Sequence, residues 1–161
     1  MNIKVKIAIA KLKHVVNHFA PECAIVVDLD EATCYNDRTK TFTIGYDFGS
    51  NIIHEYYRAI REDWGFDLYE HNFNFDFVAI MHEIGHYFTF NNADAFEGEE
   101  DIEKRVVLSL IDLDTVYHSA PHLINEYYKL PKEAAATEWM LDWIFTHPIM
   151  AHWFNWLMKN D

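Results

Sequence analysis

The chain has 161 residues and a mass of 19.1 kDa, the size of one ordinary domain. Half of its residues are hydrophobic and 16% are aromatic, with five glycines and four prolines, which excludes a disordered tail, a collagen-like chain and a linker-rich array. Thirteen basic residues against 26 acidic ones leave a formal net charge of −13, and so acidic a surface repels phosphate backbones and anionic lipid. No nucleic-acid or membrane partner is expected.

From the N-terminus, residues 4–19 read as an amphipathic helix, with Ile7, Leu12, Val15, Val16 and Phe19 apolar and Pro21 as its stop. Ala24–Leu29 is a β-branched run that predicts a strand, and Thr41–Tyr46 alternates polar with apolar residues, the period of a half-buried strand. Between them Cys34–Arg38 holds Asn36-Asp37, good turn chemistry. Helical patterns follow over 51–63, 77–90, 99–117, 132–146 and 148–158, with an acidic loop at Asn91–Glu100. The order predicts a single α+β domain over 1–161 with little sheet. Cys23 and Cys34 are too few for a disulfide framework. The N-terminal residues lack the apolar run of a signal peptide, and the uncharged stretch Phe145–Met158 is too short to span a bilayer, so a cytoplasmic location is expected.

Within the 77–90 helix lies His82-Glu83-Ile84-Gly85-His86, an H-E-x-x-H motif. Residues i and i+4 sit about 40° apart on a helix, so both imidazoles can reach one metal ion. Glu83 follows at about 100° and can take a proton from a water on that ion. Phe77, Ile80, Met81, Ile84 and Phe88 form the opposite face and are expected to anchor it in the core. Gly85, a poor helix former, implies that another backbone passes close by. Shuffling the His and Glu content of this chain yields the motif only about 0.05 times, so accident is a weak explanation.

Two histidines leave a tetrahedral zinc site one protein ligand short. Glu126, Glu133 and Glu138 are the candidates. With Glu133 at 0°, Met140 falls at about 340° and Ile144 at about 20°, which puts Glu133 inside the apolar stripe of its helix, where an unpaired carboxylate is costly. Glu138, at about 140°, shares the polar side with Asp142. Glu133 is therefore favoured as third ligand, with Glu138 and Glu126 as alternatives.

His82–His86 followed by Glu133-x-x-Ala136-Thr137-x-Trp139 resembles the motif helix and glutamate helix of the ImmA/IrrE-like zinc metallopeptidases, and more broadly the compact gluzincins called minigluzincins, some of them phage-encoded. The resemblance covers about half to two thirds of the chain. It implies a compact zincin-like domain with His82, His86 and Glu133 as Zn²⁺ ligands, Glu83 as general base, and a protein or peptide substrate. The function expected on this basis is zinc-dependent hydrolysis of peptide bonds. The alternative is a catalytically silent binding or structural protein on the same scaffold, with one narrow protein partner.

Weaker features carry weaker expectations. Tyr117, His118, Ser119, His122, Tyr127 and Tyr128 are candidates for stabilising an oxyanion, although each reads more simply as an ordinary surface or core residue. The 41–46 strand is either an edge strand that receives extended substrate or an internal strand. Trp139, Trp143, Trp153 and Trp156 suggest core packing or a protein-contact surface, and the acids of Asp94–Glu103 read as a solvated loop and helix start.

Overall fold

In the first helix, phase decides which residues reach the core. The computed structural model, which describes residues 3–45, 50–90 and 121–159, has α1 at Ile3–Phe19. Ile9, Leu12, Val15 and Val16 are buried, whereas Ile7, expected on the apolar face, is 42% exposed. At 100° per residue, Ile7 lies about 160° from Ile9, on the opposite side of the helix.

Strand β1 (Ala24–Val27) ends before Leu29 because Asp28 turns the chain. Its Oδ1 accepts from Asp30 N at 3.1 Å and its carbonyl accepts from Glu31 N at 3.3 Å, leaving Leu29 exposed. The Asn36-Asp37 turn also forms, but at a different place in the topology. Cys34–Asn36 is itself a strand, β2, and Asn36 Oδ1 accepts from Arg38 N (3.0 Å) and Thr39 N (3.2 Å) to close a hairpin onto β3, Thr41–Ile44. The sheet order is β1-β3-β2, with β1 parallel to β3 and β2 antiparallel to it, Tyr35 opposite Phe42. Strand β3 is thus the central strand, which overturns the edge-strand reading of 41–46; β1 and β2 are the edges.

Helices α2 (Ser50–Trp64), α3 (Phe75–Thr89), α4 (Pro121–Lys129), α5 (Pro131–Thr146) and α6 (Pro148–Lys159) complete an α+β architecture of six helices and three strands among the described residues. None of the described helices is long and apolar enough to cross a membrane. The acidic loop at Asn91–Glu100, the helix over 99–117, the Asp94–Glu103 acids and Tyr117–Ser119 lie outside the described residues, as does the side chain of His122.

Helix α3 is the axis of the fold. It starts two residues earlier than its apolar periodicity implies because Asn74 caps it, its Oδ1 accepting from Asp76 N at 2.9 Å and Phe77 N at 3.3 Å. The cap is itself held from α6. Buried Asn155 accepts from Asn74 N through Oδ1 at 2.6 Å and donates through Nδ2 to Asn72 O at 3.1 Å. Every residue from Phe77 to His86 is buried, so α3 is not the amphipathic helix of the sequence reading: its polar face is covered too. Phe88, expected among the core anchors, emerges in the last turn at 41% exposure, where its ring stacks on Trp139 (centroids 4.7 Å apart).

Candidate metal centre

The helix that covers the polar face of α3 is α5, with which α3 packs most extensively. The two backbones come close at Gly85. A Cβ at that position would sit 2.4 Å from Ala136 O and 3.0 Å from Ala136 C and Cα, distances no side chain tolerates. The glycine therefore permits the crossing, and the crossing sets Glu133, one turn before Ala136, over the two imidazoles.

Glu133 Oε2 lies 2.7 Å from His82 Nε2 and 3.2 Å from His86 Nε2. All three residues are buried, and their nearest donor atoms lie within 4.8 Å of one another. Ligand atoms around a tetrahedral ion at bond lengths of about 2.0–2.2 Å are roughly 3.3–3.6 Å apart, so the cluster needs only a small opening to hold one. Glu138 and Glu126 are exposed and do not belong to this group. The buried His-His-Glu group can hold a metal ion. Its charge also suits a cation, because Glu133 is held well below the usual carboxylate range between the two imidazoles.

Supporting groups fix the outer atoms of these ligands. Tyr127 donates to Glu133 Oε1 at 2.9 Å, leaving Oε2 for the histidines. Burial and the neighbouring Glu133 keep the Tyr127 phenol well above its ordinary range, so it remains a donor. Tyr56 Oη lies 2.7 Å from His82 Nδ1 and 2.8 Å from Thr137 Oγ1, and the Tyr56 ring is clamped by Tyr128, stacked at 4.2 Å. Of the tyrosines considered as oxyanion partners, Tyr127 is thus engaged on Glu133 and Tyr128 packs under Tyr56. Comparison with family models, curated proteins and solved structures returns no match to this chain.

Glu83 faces the sheet. Its Oε2 accepts from Tyr35 N at 2.9 Å, so the edge strand β2 supplies the backbone donor that orients it. Burial pushes its carboxyl up to about 7, with Glu133 adding to the rise, while His82 and the Tyr35 N–H pull it down. For Glu133 burial also acts upward, but the charge of His86 and hydrogen bonds from both imidazoles outweigh it and hold the carboxyl well below the usual carboxylate range.

Sequence reasoning missed Tyr56 and Tyr35. Neither stands at a recognisable spacing from the motif: Tyr56 lies 26 residues upstream of His82 and Tyr35 lies 48 upstream of Glu83. Six of the remaining histidines have a packing explanation. His14, His18, His54, His71, His147 and His152 each lie against an aromatic ring.

Proposed function

We propose that the protein is a zinc-dependent metallopeptidase of the gluzincin type, similar to the ImmA/IrrE-like enzymes. The observation that carries this reading is the convergence of His82 Nε2, His86 Nε2 and Glu133 Oε2 in a buried cluster one residue away from Glu83. Two imidazoles and one carboxylate form a donor set that suits zinc and leaves a coordination position open, as catalytic zinc sites do. When bound there, Zn²⁺ acts as a Lewis acid toward a carbonyl oxygen and acidifies water.

The residues of the chain perform the rest. His82, His86 and Glu133 bind the ion, and Tyr127 and Tyr56 hold two of those ligands in place. Glu83 takes the proton from the attacking water and returns it to the leaving amine nitrogen. Burial raises that carboxyl in the metal-free protein, and a bound dication beside it would draw it back toward the carboxylate that accepts the proton. A net charge of −13 favours neutral or basic substrate segments.

The test is elemental analysis of protein purified without chelator, paired with proteome-wide cleavage mapping. The expected result is one zinc per chain, and a Glu83→Gln variant that keeps zinc but loses about 10²–10⁴-fold in cleavage rate. Wild-type protein without stoichiometric zinc overturns the reading. Cleavage that is unchanged in Glu83→Gln removes the peptidase mechanism while leaving the metal site.

A further inference from the structure

Both ring nitrogens of His82 are engaged, and the groups on its Nδ1 side are hydroxyls. Nε2 faces Glu133 Oε2 at 2.7 Å; Nδ1 faces Tyr56 Oη at 2.7 Å, and Tyr56 Oη faces Thr137 Oγ1 at 2.8 Å. Metal-binding histidines usually present the other nitrogen to a carboxylate, a backbone carbonyl or water. An ionised carboxylate or a carbonyl only accepts, which fixes the ring proton on that nitrogen; a hydroxyl donates and accepts.

Two hydrogen arrangements therefore fit one set of heavy-atom positions. In the metal-free arrangement Nε2–H donates to Glu133 Oε2, so Nδ1 is an acceptor: Tyr56 donates to Nδ1, and Thr137 donates to Tyr56. With a cation at Nε2 the ring proton resides on Nδ1 and donates to Tyr56, which donates to Thr137. Thr137 Oγ1 also lies 3.4 Å from His82 Nδ1, so it stands as a second hydroxyl oxygen beside that ring proton. Each arrangement places one ring proton: as the buried cluster opens to take the ion, the proton on Nε2 leaves for solvent and one from solvent is taken up on the Nδ1 side, and both hydroxyls end with one proton each and their direction reversed.

We propose that Tyr56 and Thr137 form a reversible hydrogen-bond relay that allows His82 to exchange tautomers as the metal is bound and released, with Nδ1 partnered in both states. Tyr56 is thus a positioning residue for the ligand set. Among the described residues the relay serves one imidazole, since His86 Nδ1 is buried there without a hydrogen-bond partner. Tyr56 is well placed for the role because its ring, 1% exposed, is fixed by the Tyr128 stack and by an edge contact with His82 itself (centroids 5.1 Å apart). The proposal rests on the reading of His82, His86 and Glu133 as a metal centre.

The test uses wild-type protein, metal-free and loaded with zinc alone, and long-range ¹⁵N–¹H correlation of the histidine rings. His82 is expected to carry its proton on Nε2 without zinc and on Nδ1 with it. Chelator competition should show zinc affinity about 10–100-fold weaker in Tyr56→Phe, weakened less in Thr137→Val, and close to wild type in Thr137→Ser. A His82 proton on Nδ1 in both states, or full zinc affinity in Tyr56→Phe, overturns the relay and leaves the metal centre standing. Wild-type protein that binds no zinc removes both. If Tyr56→Phe fails to fold, the wild-type tautomers and the two Thr137 variants decide the matter.

Discussion

Glu83 and Glu133 are both buried, at 8% and 2% exposure, and both are influenced by His82. Their surroundings drive them in opposite directions. Glu133, on the helical side, receives contacts from two imidazoles and a phenol and stays ionised. Glu83, on the sheet side, has one backbone N–H, and burial lifts its carboxyl to about 7. The density of donors, rather than depth of burial, separates a carboxylate suited to holding a cation from one suited to carrying a proton.

The largest expected effect comes from removing the donor-rich side. Glu133→Gln should weaken zinc binding by more than about 100-fold, beyond the range of outer-sphere changes, as read by chelator competition. Zinc retained at wild-type affinity would show that another group, and not Glu133, completes the site.

Gly85→Ala tests the crossing that brings the two sides together. Alanine gains about 1 kcal/mol of helix propensity over glycine. Against that, its Cβ would lie 2.4 Å from the Ala136 carbonyl oxygen, a backbone atom that cannot swing aside, and overpacking of this kind costs about 1–3 kcal/mol. The clash should win, lowering both Tm and zinc affinity. A more stable variant would mean that the helices can part without cost.

A further expected effect concerns the metal-free protein. Because the folded-state pKa of Glu83 is raised, the folded protein retains a proton that the unfolded chain releases. The resulting stability is present at low pH and is lost as pH rises from the ordinary carboxylate range to about 7. Glu83→Gln abolishes that loss. Above pH 7 it should raise the Tm of metal-free protein by several degrees, on the order of 3 kcal/mol, and near pH 4 it should change little. A Tm difference that does not vary with pH would indicate that Glu83 is not raised.

The His82–His86–Glu133 cluster was legible where local geometry governs it. The i, i+4 spacing of His82 and His86, the close-approach role of Gly85 and the inward phase of Glu133 all follow from helical periodicity, and each holds in the structure. What depends on distant partners was not legible. Strand β2 has three residues, too few to display alternation, and Cys34-Tyr35-Asn36 resembles turn sequence until β3 pairs with it. The burial of α3 on every side was obscured because its histidines and Glu83 appear solvent-facing unless α5 and the β2 edge are known to lie over them. Helix α4 was passed over, although its Tyr127 and Tyr128 were singled out for a different role.

Asn155 reaches back 81 residues to hold the cap of α3. At synthesis rates of roughly 5–20 residues per second, the start of α3 leaves the ribosome about 4–16 s before the side chain that secures it. For most of that interval the apolar run from Phe77 to Met81 lacks the complete α5 and α6 that pack on α3 in the folded protein. The nascent chain therefore passes through a period in which this apolar segment is uncovered, and the His82–His86–Glu133 cluster can close only after α5 has been made.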